Sequence, residues 1–227
     1  MADGPIERCR GEIARLADEA LAPPTAAARL ARLMGAVQET IERELESARV
    51  AGQPPPACAA GCASCCTVNV ATLAVEGAVA AAWLAERLPE AERAGRARAL
   101  LAFHDRVRWL EDEERIAWRE TCPCLDSAGR CAIHPVRPLA CRSLSSLDAA
   151  DCRRALRERM ERDGGGEVRM NLLQQALYSD AVVVLQEALA RRGIDTRCRD
   201  VSGMAGIFLA DPALVDRFLA GERLPIE

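Results

Sequence analysis

The chain contains no lysine: all 30 basic residues among its 227 are arginine. Chemistry that runs through a lysine Schiff base is therefore excluded. Aromatic side chains are nearly as scarce, with three Trp, three Phe and one Tyr. That scarcity speaks against sheet-rich packing and for close-packed helices. A basic excess is missing too. The net charge is −4, whereas general nucleic-acid binders present a strongly positive balance, so no nucleic-acid partner is expected. No stretch reads as a membrane span. The most apolar segment, Val68 to Ala85, is largely alanine and is interrupted by Asn69, Thr72 and Glu76, the pattern of a buried helix. Met1 to Arg10 has acidic residues and a proline but no apolar core segment of a secretory leader. A cytoplasmic location is the resulting expectation. P-loop, dinucleotide fingerprint and nucleophile elbow are also missing.

What is present is alanine, arginine, glutamate and cysteine. Half of the residues are apolar, enough for a sizeable core, and the length suits one helical domain over residues 1–227. Eleven cysteines in a reducing compartment point to metal or redox chemistry rather than a disulfide framework, and the odd number agrees.

Helical periodicity organises the chain. Ile6, Ile13, Leu16 and Ala20 predict a short first helix ending before Pro23-Pro24. Thr25 is placed to cap a second, with Leu30, Leu33, Met34, Val37, Ile41 and Leu45 on one face. Pro54-Pro55-Pro56 ends it. Thr72 to Leu88 reads as a third helix, and Glu90 to Arg119 as a fourth that can be broken. Ala149 to Glu161 reads as a short helix, Gly164-Gly165-Gly166 as a hinge or exposed turn, and Met170 to Arg192 as an amphipathic helix that Gly193 can terminate. One or two short helices are expected in the tail. Strand alternation is not evident. The expected fold is all-α, a helical bundle with two cysteine-rich metal-binding loops inserted between helices. Residues 58–152 would be the metal-binding core, with helical flanks at 1–57 and 153–227.

The first cysteine block is Cys58-x3-Cys62-x2-Cys65-Cys66, and the second is Cys122-x-Cys124-x6-Cys131-x9-Cys141, with Cys152 beyond it. Two cysteines separated by two residues can chelate one ion, because a turn brings both sulfurs to one side. Gly61 relieves the steric conflict where the backbone turns tightly. Pro123, Pro135 and Pro138 hold the second loop extended. Thiolates from two distant loops could clamp the bundle, so that metal binding contributes to folding. The adjacent Cys65-Cys66 pair is unusual, since successive side chains diverge. It could serve two metals, bridge them, or combine one ligand with one free thiol. The spacing Cys58-x3-Cys62-x2-Cys65 also matches the radical SAM motif, but those enzymes place it in a β/α barrel, which this pattern of helices does not build.

The first block together with CPCLDSAGRCAIHPVRPLACR, from Cys122 to Arg142, resembles the YkgJ-type cysteine-cluster family, the CxxCxxCC family, described as zinc- or iron-chelating. The likeness spans about residues 58 to 152 and matches two distant blocks in order. It implies metal ligation by Cys58, Cys62, Cys65, Cys66, Cys122, Cys131, Cys141 and Cys152. Glu76 stands where such proteins often carry a glutamate, and Arg137-Pro138 and Arg142 match an R-P-x-x-C-R element. Cys124 and His134 depart from the pattern; either could be a further ligand, or His134 a packed ring. Cys9 and Cys198 lie outside it and read as small buried hydrophobes.

Soft thiolates suit both zinc and iron. All-cysteine zinc sites usually show two tidy C-x2-C pairs, and this second block is widely spaced. The flagellin lysine N-methylases, a family associated with an iron–sulfur cluster, carry a similar cysteine arrangement. Both points favour an iron–sulfur cluster (4Fe-4S) over zinc. Near such an anionic centre, Arg137 and Arg142 could offset charge and bind the cofactor; the alternatives are an anionic substrate or surface ion pairs. His104 reads as an exposed or packed ring, and Glu111-Asp112-Glu113-Glu114 as a solvated helix face. The expectation is a metal-chelating protein with a structural, redox or metal-handling role, whose partners are a metal ion or cluster and a protein or peptide. The rival reading is an iron–sulfur enzyme that modifies peptides, such as a SAM-dependent N-methylase resembling the flagellin enzyme.

Overall fold

The computed structural model describes residues 3–23, 27–50, 54–161 and 166–226. The chain folds as helices around one hydrophobic core. Helix α1 (Pro5–Ala20) begins on a proline, whose missing N–H is harmless in a first turn. It buries Cys9, Ile13 and Ala17 against α2 (Ala27–Ser47) and α8 (Leu172–Arg191). Asn171 starts α8 by accepting the Gln174 N–H at 3.1 Å, and Gly193, at φ +65°, follows its end, as the glycine signal predicts. Thr25, Gly164 and Gly165 lie outside the described residues.

At the centre runs α9 (Val201–Ala210), buried from Val201 to Leu209. It packs against α3 (Ala74–Arg87) and α4 (Glu90–Val107). Small residues permit that approach: a Cβ on Gly77 would stand 2.5 Å from Met204 Cβ. The break expected in the fourth helix falls at 108–111, where Glu111 and Glu114 form a capping box that starts α5 (Asp112–Trp118). The acidic run is exposed, as read from the sequence. The tail adds α10 (Leu214–Leu219) after α9.

Two features differ from the expectation. Strands β1 (Ala71–Leu73) and β2 (Cys198–Asp200) pair antiparallel, with Thr72 opposite Arg199. Three residues are too few to show a period of two, and their pairing takes Thr72 and Leu73 out of α3. The second cysteine segment is also not a plain loop. It contains α6 (Leu139–Ser143) and runs into α7 (Ala149–Met160), so Cys141 and Cys152 project from helices. Pro138 sits at the α6 N-cap, where it blocks nothing. Among the described residues, no helix is long and apolar enough to cross a membrane.

Candidate metal centre

Backbone hydrogen bonds bring the two cysteine blocks together. The Ala57 N–H donates to Ser146 O, and the Cys122 N–H to Cys66 O, each at 2.7 Å. Gly61, at φ +86°, turns the first block, and a 3-10 turn over Ser64–Thr67 carries Cys65 and Cys66. The second block opens with a small hairpin in which the Ala132 N–H donates to Cys124 O at 2.8 Å. Asp126 holds its tip by accepting the N–H groups of Ala128 and Arg130. Trp83 on α3 braces it, donating from Nε1 to Ala132 O at 3.0 Å.

Glu76 joins the blocks from beneath. Its carboxylate accepts the Leu73 N–H at 2.8 Å and the Leu139 N–H at 2.6 Å, which fixes the start of α3 to the start of α6. Burial pushes this carboxyl up to about 7, although the two N–H groups favour its charged form.

Above these supports lies a cavity of about 390 Å³. Cys58, Cys62, Cys65 and Cys66 line it from the first block, and Cys122, Cys124, Cys131 and Cys141 from the second. A second cavity, of about 480 Å³, meets Cys58, Cys62 and Cys65 again, together with Cys152. All eight ligands expected from the sequence therefore face one or both cavities, while Cys9 and Cys198 face neither. Cys9 is buried in the core, and burial pushes its thiol up to about 11. Cys58 and Cys62 are exposed, and Cys65, Cys66, Cys122, Cys131, Cys141 and Cys152 are half-buried. Among the described residues, no group of three or more His, Cys, Asp or Glu side chains stands in a metal-holding arrangement; the thiols line the walls of the cavities.

The thiols perturb one another. The Cys66 S–H bonds to Cys65 and holds the Cys65 thiol below its ordinary value, while Cys66 is raised. Cys124 does the same for Cys122. Burial raises Cys141 and Cys131, and nearby Cys122 and Cys65 add to the rise. For Cys58, desolvation comes first and the neighbours are Cys62, Cys65 and Cys152.

Four arginines face the first cavity: Arg115, Arg137, Arg142 and the exposed Arg130, which pairs with Asp126. Arg142 is buried and donates to the carbonyls of His134, Pro135 and Arg137 at 2.9–3.2 Å, stapling the turn before α6. Burial lowers its guanidinium. Arg137 and Arg115 each keep a buried Nε with no hydrogen-bond partner. Arg115 is 2% exposed, donates to Asn69 Oδ1 at 3.0 Å and stands over the Phe103 ring. Sequence reasoning passed over Arg115, because it follows four acidic residues and reads as part of a solvated face. Exposed His134 lines the same cavity. His104 does not: it is buried, bonded through Nδ1 to Asp200 and pressed against Gly203, a packed ring.

A family model described as "putative zinc- or iron-chelating domain" matches residues 57–161. The matching model is that of the CxxCxxCC family. No curated protein and no solved structure matches the chain. The matched segment holds both cysteine blocks, Glu76 and these arginines. It stops at the end of α7, so α8 and α9 come from outside it. Its donor set fits the metals its description gives. Thiolates are soft ligands that suit both zinc and iron. The two orphaned, buried guanidinium nitrogens supply positive charge and unused N–H donors beside thiols, as an anionic thiolate centre requires.

Proposed function

We propose that the CxxCxxCC domain binds an iron–sulfur cluster, with zinc as the competing occupant, through thiolates from both cysteine blocks. The observation that supports this most is the cavity of about 390 Å³, where thiols from both blocks meet the unpaired Nε atoms of Arg115 and Arg137. Its volume is many times the roughly 30 Å³ of one water, which suits a polynuclear centre or more than one ion. Bound there, an iron–sulfur cluster would supply one-electron chemistry. The chain's own residues would set its surroundings. Arg115 and Arg137 offset the negative charge of the thiolates. Arg142 holds the turn from which Cys141 approaches, and Cys124 donates its S–H to Cys122. Because no ligand group is drawn together among the described residues, binding would pull the thiols inward and order both blocks.

Metal and sulfide analysis with a visible spectrum, on protein purified without oxygen, tests the reading. Iron with matching sulfide and a broad sulfur-to-iron charge-transfer spectrum is the expected result. A colourless protein holding zinc moves the domain to the structural alternative. Protein free of stoichiometric metal removes the reading altogether.

A further inference from the structure

The two cavities share the first cysteine block but not the second. The inner one meets Cys66, Cys122, Cys131 and Cys141, none of which lines the outer one. The outer one meets Cys152 on α7, which does not line the inner one. Cys58, Cys62 and Cys65 border both. The adjacent pair lies at the divide: both residues sit on one 3-10 turn, and Cys65 reaches both cavities while Cys66 reaches only the inner. Successive side chains on a turn diverge, so one ion cannot easily take both.

We infer that the domain has two thiolate centres: an outer one formed by Cys58, Cys62, Cys65 and Cys152, and an inner one formed by Cys66, Cys122, Cys131 and Cys141. The assignment rests on the metal-binding reading above and deepens it. The two centres differ in surroundings. The inner set has Arg115 and Arg137 at its cavity, Cys124 bonded to Cys122, and no fully exposed thiol. In the outer set Cys58 and Cys62 are exposed, and its other ligand element, α7, packs on α5 and on the 3-10 turn, at the edge of the core. The outer metal is accordingly the exchangeable one, open to a chelator or an acceptor protein, and the inner metal is retained. One domain then combines a structural and a metal-handling site.

The test uses the full chain with its metal as isolated, prepared without oxygen. It is challenged with a chelator, EDTA for zinc or bipyridine for ferrous iron. Released thiols are trapped with iodoacetamide and mapped by mass spectrometry while bound metal is counted. About half of the metal should leave in an early phase, because thiolates freed from metal become reactive. At that stage alkylation should be confined to Cys58, Cys62, Cys65 and Cys152 within the eight. The variants C152S and C131S should each retain the other centre's metal. Loss in one step, with all eight cysteines alkylated together, overturns the two-centre assignment and leaves metal binding intact. So does complete metal loss in both C152S and C131S while circular dichroism still shows the helical fold. If a variant fails to fold, the wild-type time course decides by itself. Protein with no stoichiometric metal at the outset overturns the underlying reading instead.

Discussion

The Glu76 carboxylate is 2% exposed, and burial raises it to about 7 from an ordinary 4.5. Between those values the folded chain keeps a proton that the unfolded chain has lost, so stability falls as pH rises through that window. The contribution is fully present below pH 4.5 and gone once pH passes about 7. Glu76→Gln stays neutral throughout and should flatten that slope, read as the wild-type-minus-variant difference in urea midpoint across the window. The amide also turns one acceptor into a donor facing a backbone N–H, which should cost about 1–3 kcal/mol. A slope unchanged by Glu76→Gln would assign the pH dependence to another group. Cys124 offers a second test at this scale. It is fully buried and donates to Cys122, so Cys124→Ala should keep the wild-type metal content at a stability cost of about 1 kcal/mol. Cys122→Ser should lose metal. Equal metal loss in both would make Cys124 a ligand.

At the scale of elements, α9 decides how the bundle closes. Glycines on it and facing it have no room to spare: a Cβ on Gly203 of α9 would lie 2.6 Å from His104 Nδ1, and one on Gly77 of α3 would meet the Met204 backbone at 2.8 Å. Gly77→Ala is expected to destabilise by about 1–3 kcal/mol, because backbone on both sides must move. Gly35→Ala is the control. Gly35 is exposed on α2 and a Cβ there meets nothing within 4 Å, so helix propensity alone should stabilise by about 0.5–1 kcal/mol. Thermal denaturation of the pair separates packing from propensity, and destabilisation by both would show that α2 is more constrained than its exposure implies. Helices α1, α2, α4 and α8 were legible from spaced apolar residues, and α3 as an alanine-rich apolar stretch ended by Pro89. Helix α9 was not legible in that way, since VSGMAGIFLA is apolar all round, and a helix buried on every side has no stripe to read.

At the scale of the molecule, the two cysteine blocks stand differently to the hydrophobic core: Cys124 belongs to it and Cys122 and Cys131 pack against it. Helices α1, α8 and α9 supply core residues such as Ile13, Leu185 and Phe208, whereas Cys58, Cys62, Cys65 and Cys66 stand outside that cluster. Stripping the metal should therefore raise hydrogen exchange strongly over residues 58–66 and 122–143 while leaving α8 and α9 protected. Global loss of protection would mean instead that the metal holds the entire bundle. The eight proposed ligands, named from the family resemblance, each line one or both cavities. The sequence could not rank the arginines. Arg142 binds three carbonyls, and Arg115 lines the cavity while donating to Asn69, far back in the chain.

The sequence by itself determined the helical class, the breaks at proline and glycine, and the soft donor set, since periodicity, backbone restriction and thiol chemistry are properties of the residues themselves. Tertiary structure alone decided which thiols share a cavity, which guanidinium groups are left unpaired beside them, and that Glu76 joins α3 to α6. Those depend on segments far apart in the chain being brought within hydrogen-bond reach, and no local pattern encodes a distance between them.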